Sequence, residues 1–142
     1  MNFQLSTINW KKTILFGVLV ITATAVTIFL VIAGYALWQG FQMQGALDVN
    51  KLTVFAGQVG AWSGVVVAVM TFLFARLLAR RVGNNNMNQN RSSYRHGLAL
   101  GLVSAALGLA VNLITGHDGG MLAVEFVGTA VAGLLGGIVG KN

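Results

Sequence analysis

The sequence predicts an all-α integral membrane protein with four transmembrane helices, arranged as two helical hairpins with both termini in the cytoplasm. Three observations predict this fold class: a very apolar composition, four nearly uncharged segments of bilayer length, and basic residues gathered on one side. Hydrophobic residues make up 56% of the 142 positions and charged residues 8%, whereas soluble domains carry about 25% charged residues. We therefore expect a single transmembrane domain over residues 1–142.

The four apolar segments cover residues 13–38, 52–75, 97–115 and 121–140. A helix of about 20 apolar residues crosses the hydrocarbon core, so the first two segments can tilt and the last two are near the minimum length. Only Glu125 interrupts them with a formal charge. Because lipid offers no hydrogen-bond partners to the backbone, each segment is expected to be helical.

The lysine and arginine residues are distributed asymmetrically. If four helices alternate across a membrane, one side holds only Lys51, and the other holds Lys11, Lys12, Arg76, Arg80, Arg81, Arg91, Arg95 and Lys141. The positive-inside rule assigns the basic side to the cytoplasm, which predicts a multi-pass protein of the cell membrane with both termini inside. The basic linker at residues 76–96 is expected to contact anionic membrane lipids. Topology accounts for the net charge of +6, so we expect no nucleic-acid partner.

Small residues recur at every fourth position on three of the predicted helices. Such rows let helix backbones approach closely, and packing replaces the hydrophobic effect as the driving force in lipid. Two interpretations stay open, packing within the monomer or contact with a partner protein. The positions taken as the packing or partner interface are Gly60, Gly64, Gly101, Gly128, Ala132, Gly136 and Gly140.

Three polar residues lie at similar predicted depths near the outer ends of their helices: Gln58, Asn112 and Glu125. An ionisable residue within a membrane span is a functional hypothesis by default. Structural roles compete with it, because Asn112 can hydrogen-bond Glu125 and a helix N-terminus favours a carboxylate. An ion or proton site, a structural contact and a contact with a partner all stay open.

No catalytic arrangement is recognised, and the chain has no cysteine. His117, Asp118 and Glu125 do not have the spacing or number of a metal site. We therefore expect no enzyme activity, no metal and no cofactor. The leading functional prediction is a small accessory or assembly subunit that binds other membrane protein subunits through its Gly/Ala-rich helix faces. The alternative is a small homo-oligomeric transporter or channel whose polar path is formed by Gln58, Asn112 and Glu125.

Overall fold

The computed structural model describes residues 8–83, 89–115 and 119–140, and this part of the chain is all helical. Its helices are α1 (Trp10–Gln42), α2 (Val49–Ala61), α3 (Ser63–Gly83), α4 (Gln89–Thr115) and α5 (Gly119–Val139). Three stretches are long and apolar enough to cross a membrane, namely Trp10–Gln42, Ser63–Arg81 and Ser93–Leu113, and a shorter apolar stretch covers Ala123–Val139. The predicted all-helical fold class is confirmed. Three stretches also have the length and apolar composition of membrane-spanning helices.

The structure differs from the prediction over residues 52–75, where it has two helices in place of one. The helical hydrogen bonding is distorted at Trp62, whose N–H donates both to the Gln58 carbonyl, four residues back, and to the Val59 carbonyl, three residues back, and whose carbonyl accepts from Val65 and Val66. Glycine weakens a helix by about 1 kcal/mol relative to alanine, and helices kink at Gly/Ser pairs. The run from residue 57 to 64, which contains three glycines and Ser63, supplies both causes.

The segments between the helices are also shorter than the predicted loops. Helix α3 continues to Gly83 and α4 begins at Gln89, so much of the predicted linker at 76–96 is helical. Between α1 and α2, the Asp48 side chain accepts the backbone N–H of Lys51 at 3.2 Å and caps α2. This hydrogen bond lowers the pKa of the Asp48 carboxyl below its ordinary value.

Helix α5 packs against α3 and α4 through glycines. On α4, a Cβ placed on Gly97 would lie 2.5 Å from the Gly133 carbonyl oxygen and 2.6 Å from the Gly137 Cα. On the side towards α3, a Cβ on Gly140 would lie 2.6 Å from the Arg76 carbonyl oxygen. No side chain fits in such gaps, so these helices touch backbone to backbone.

The starts of α1 and α4 and the ends of α3 and α5 meet at one end of the bundle. The backbone N–H of Asn9, the N-cap of α1, donates to the buried His96 Nε2 on α4 at 3.3 Å. Because the glycine contacts bring the end of α5 to Ser93 and Arg76, all four helix ends lie together. We call this the basic end, since its described residues include Lys11, Lys12, Arg76, Arg80, Arg81 and Arg95.

Helix α1 lies along α3 and α4, and its second half pairs with α2. The rings of Phe16 on α1 and Phe74 on α3 meet edge to face at 6.1 Å between centroids. Further along α1, the ring of Tyr35 stacks on Phe55 of α2 at 4.0 Å. No residue of α2 is buried. The chain therefore forms a bundle of α1, α3, α4 and α5, with α2 lying outside it against α1.

Candidate functional site

A central cavity of about 270 Å³ lies between the helices of the described chain. Each of α1 to α5 contributes lining residues, and most of these are aliphatic, aromatic or glycine. The polar lining residues are Thr24, Ser63, Ser104, Asn112, Glu125 and Thr129. An apolar cavity with a few converging polar groups is the usual form of a small-molecule site.

The carboxylate of Glu125 lies in this central cavity at the meeting point of α3, α4 and α5. From α4, Asn112 Nδ2 donates to Glu125 Oε2 at 3.0 Å. From α3, Gly64 approaches so closely that a Cβ there would lie 2.6 Å from Glu125 Cγ and 2.8 Å from Oε1. Only glycine leaves room for the carboxylate in this position.

Gly64 is the second residue of α3 and lies beneath the carboxylate. Its missing side chain supplies the space that the Glu125 carboxylate occupies. Trp62 keeps helical hydrogen bonds to Gln58 and from Val66, so α3 follows directly on α2.

Glu125 has no basic partner among the residues that the structure describes. The ion pair found in this part of the chain joins Lys51 Nζ to Asp48 Oδ2 at 3.4 Å, and no lysine or arginine lines the central cavity. Glu125 is half-buried, and a carboxylate in such mostly apolar surroundings is stabilised by a cation that binds to it. The arrangement thus fits a site for positively charged ligands.

A second polar group lies in the part of the central cavity nearer the basic end. Ser104 is fully buried, and its Oγ has no hydrogen-bond partner in the described part of the chain. Thr24, by contrast, donates its hydroxyl to the Val20 carbonyl at 2.9 Å. Eight residues separate Ser104 from Asn112 on α4, which corresponds to roughly 12 Å along the helix axis. The Ser104 hydroxyl is therefore well separated from the level of Asn112.

The structure brings together two of the three polar residues that the sequence singled out. Asn112 and Glu125 are hydrogen-bonded, but Gln58 is exposed on α2 and lines a separate cavity between α1, α2 and α3. His117 and Asp118 lie outside the described residues. The sequence reasoning missed Ser104 and Gly108, although a row of small and polar residues at fourfold spacing (104, 108 and 112) pointed to them.

The predicted small-residue positions fall into three environments. Gly64 and Gly60 line the central cavity. Gly101 lies against the backbone of α5, and Gly136 and Gly140 lie against α3. Gly128 is exposed, and nothing lies within 4 Å of a Cβ placed there. Ala132, between Gly128 and Gly136 in the row, is half-buried.

No protein-family profile, characterised protein or solved structure matches this chain. The function must therefore be inferred from the geometry of the central cavity itself.

Proposed function

We propose that this protein is a small membrane transporter or channel for a cation, with Glu125 as the cation-binding group. The observation that carries the proposal is the Glu125 carboxylate, which lies in a cavity between the helices without a basic partner in the described chain. An intramembrane carboxylate of this kind is typical of ion and substrate pathways. Asn112 orients the carboxylate through its hydrogen bond and leaves the second oxygen, Oε1, for the ligand.

The proposal includes four membrane spans, with α2 and α3 together forming the second. Helix α5 has 21 residues, or about 30 Å at 1.5 Å per residue, which matches the hydrocarbon thickness. The meeting of four helix ends at the basic end supports this count, because four antiparallel crossings bring those ends to one side. The positive-inside rule then places the basic end in the cytoplasm of a cell-membrane protein.

Reporter fusions test this topology. A reporter placed after Asn142 or inserted at Asn86 is expected to report the cytoplasm, and one inserted at Gly45 the outside. Alkaline phosphatase is active only outside and green fluorescent protein folds best inside, so the pair gives reciprocal signals at each position. A cytoplasmic Gly45 contradicts the assignment of α1 as a complete span.

We expect the active form to be a homo-oligomer. Four helices seldom enclose a continuous polar route by themselves, and the central cavity reaches only from the level of Glu125 to the level of Ser104. The rest of the path would be formed between copies of the chain. Membrane lipids are the other expected contact, since the surface of the described helices carries many large apolar side chains.

Electrical recording from reconstituted vesicles tests the role of Glu125. The purified chain is placed in vesicles on a solid support, and jumps of protons, Na⁺, methylammonium or hexylammonium are applied. The wild type is expected to give a charge movement for at least one cation. Glu125→Gln keeps the size and hydrogen bonding of the side chain but removes its charge, so it is expected to abolish the signal.

Gln58→Ala is the matched control, because Gln58 is a polar residue of the same predicted depth outside the central cavity. Its charge movement is expected to equal that of the wild type. The proposal fails if no cation gives a signal that depends on Glu125 while both variants insert and remain folded. A loss of the signal in Gln58→Ala alone would move the site to the second cavity.

An accessory or assembly subunit is the second candidate. Helix α2 favours it, because no residue of α2 is buried and side chains such as Val49 and Val54 are exposed over more than 60% of their surface. Such a helix leaves room for another membrane subunit beside α1. The glycine faces of α5 give weaker support, since Gly136 and Gly140 already contact α3 within the same chain.

A further inference from the structure

We propose that the ligand of the central cavity is a small organic amine, bound by its ammonium group at Glu125 and by its apolar body along the cavity wall. This inference rests on the proposed role of Glu125 as a cation-binding group. It adds the chemical class of the cation, which the carboxylate alone leaves open.

The donor set around Glu125 does not suit a bare metal ion. Divalent cations such as Ca²⁺ take about six to eight oxygen ligands. Near the carboxylate, Asn112 already donates an amide N–H to Oε2, Gly64 offers no side chain, and Ser63 and Thr129 add at most two hydroxyl oxygens from the cavity lining. The Ser104 hydroxyl lies roughly 12 Å away along α4. A metal ion at Glu125 would therefore keep most of its water, which the apolar lining does not favour.

The size and lining of the central cavity suit an organic molecule. Its volume of about 270 Å³ is far larger than an ion and close to the lower limit of about 300 Å³ for small-molecule sites. Beyond the carboxylate most of the wall is apolar, with Ile21, Val67 and Leu109 among its residues, although Thr24 and Thr129 also line it. Phe126 also lines the cavity, and an aromatic ring near an ammonium group adds a cation–π attraction.

The unpartnered hydroxyl of Ser104 gives the cavity a second polar end. A buried hydroxyl without a hydrogen bond is unfavourable, so water, or a polar group at the far end of a ligand, is stabilised where it reaches Ser104. An amine whose chain extends from Glu125 towards the level of Ser104 lies along the apolar wall between two polar groups. The arrangement favours an amine with a narrow, elongated apolar body over a bulky, branched amine.

Binding to the purified full chain in mild detergent tests the ligand class, with hexylammonium as the probe and hexan-1-ol as its uncharged counterpart. We expect hexylammonium to bind about tenfold or more tightly than hexan-1-ol, because a hydrogen bond to a charged group is stronger than one between neutral groups. In Glu125→Gln the two probes are expected to bind equally. Isothermal calorimetry measures both, and titration of each probe into protein-free micelles corrects for its partition.

A chain-length series tests the apolar wall. From methylammonium to hexylammonium, affinity is expected to rise about fourfold for each methylene that becomes buried. Gly108 lines the central cavity, and a Cβ there meets nothing within 4 Å, so Gly108→Leu adds its bulk from an open position on the cavity wall. This variant is expected to weaken the binding of hexylammonium more than the binding of methylammonium. Gly108→Ala should do the same to a smaller extent, which keeps the test decisive if the leucine variant is unstable.

Gly34→Leu is the control, since Gly34 has the same open surroundings on α1 but does not line the central cavity. The affinities for the whole alkylammonium series are expected to be unchanged in this variant. The inference is overturned if hexylammonium binds no better than hexan-1-ol, or if the Gly108 variants behave as the Gly34 control does. Should protons or Na⁺ still give Glu125-dependent currents in that case, the proposed function stands and only the ligand class is wrong.

Discussion

Gly133→Leu is expected to destabilise strongly the packing of α5 against α4. A Cβ on Gly133 would lie 2.5 Å from the Gly101 Cα and 2.6 Å from the Gly97 carbonyl oxygen. These are backbone atoms of α4, which cannot turn aside as a side chain can. We expect a loss of about 3 kcal/mol or more, at the upper end of overpacking effects. The temperature of thermal unfolding in detergent should fall by roughly 10 °C.

Gly128→Leu is the matched control for this prediction, because it makes the same change five residues earlier on α5. Nothing lies within 4 Å of a Cβ at Gly128, and leucine is the better helix former by nearly 1 kcal/mol. Its thermal stability is therefore expected to be unchanged or slightly raised. Equal losses in both variants would mean that the close approach of α4 and α5 does not limit stability.

Composition and segment length were sufficient to predict the helical fold class, because in lipid only a helix satisfies the backbone of a long apolar segment. The break at Trp62 was not predicted. The run from residue 57 to 64 has the glycines and the serine that permit a kink, but it contains no proline and its apolar character continues to Ala75. Whether such a run bends depends on what packs against it, here the Glu125 carboxylate against Gly64.

The candidate site could be predicted only in part, for the same reason. Asn112 lies near the end of α4 and Glu125 near the start of the next helix, α5, and these two helix ends bring the side chains together. The sequence prediction grouped Gln58 with these two residues because its depth was counted along one continuous helix. The break separates α2 from the bundle, and Gln58 lies in another cavity. The number of residues between a position and the end of its predicted helix does not reveal which way the residue faces after a kink.

Spacing alone also could not distinguish the roles of the glycines. Gly128 and Gly136 belong to one row on α5, yet the first is exposed and the second lies against the Phe72 backbone. Fourfold spacing determines which residues share a helix face. It does not determine what the face meets at each level, because the helices of a bundle diverge along their length.

Gly136→Leu is expected to destabilise the single chain itself, and this outcome separates the two interpretations of the α5 glycine row. A Cβ on Gly136 would collide with the Phe72 carbonyl oxygen and lie 2.8 Å from the Ala75 Cβ. Because these atoms belong to α3 of the same chain, the variant should lose about 3 kcal/mol and melt roughly 10 °C lower in detergent.

A partner that binds through the whole row predicts a different result. The Gly136→Leu monomer would then keep its thermal stability, while a complex seen on native gels dissociates. Gly128→Leu separates the two ends of the row, since it adds bulk where the chain itself places nothing. If it disrupts an oligomer or releases a co-purifying subunit without lowering the melting temperature, the partner contact lies at the Gly128 end. In that case α5 contacts α3 at Gly136 and a neighbouring chain at Gly128, because the row diverges from α3 between these two levels.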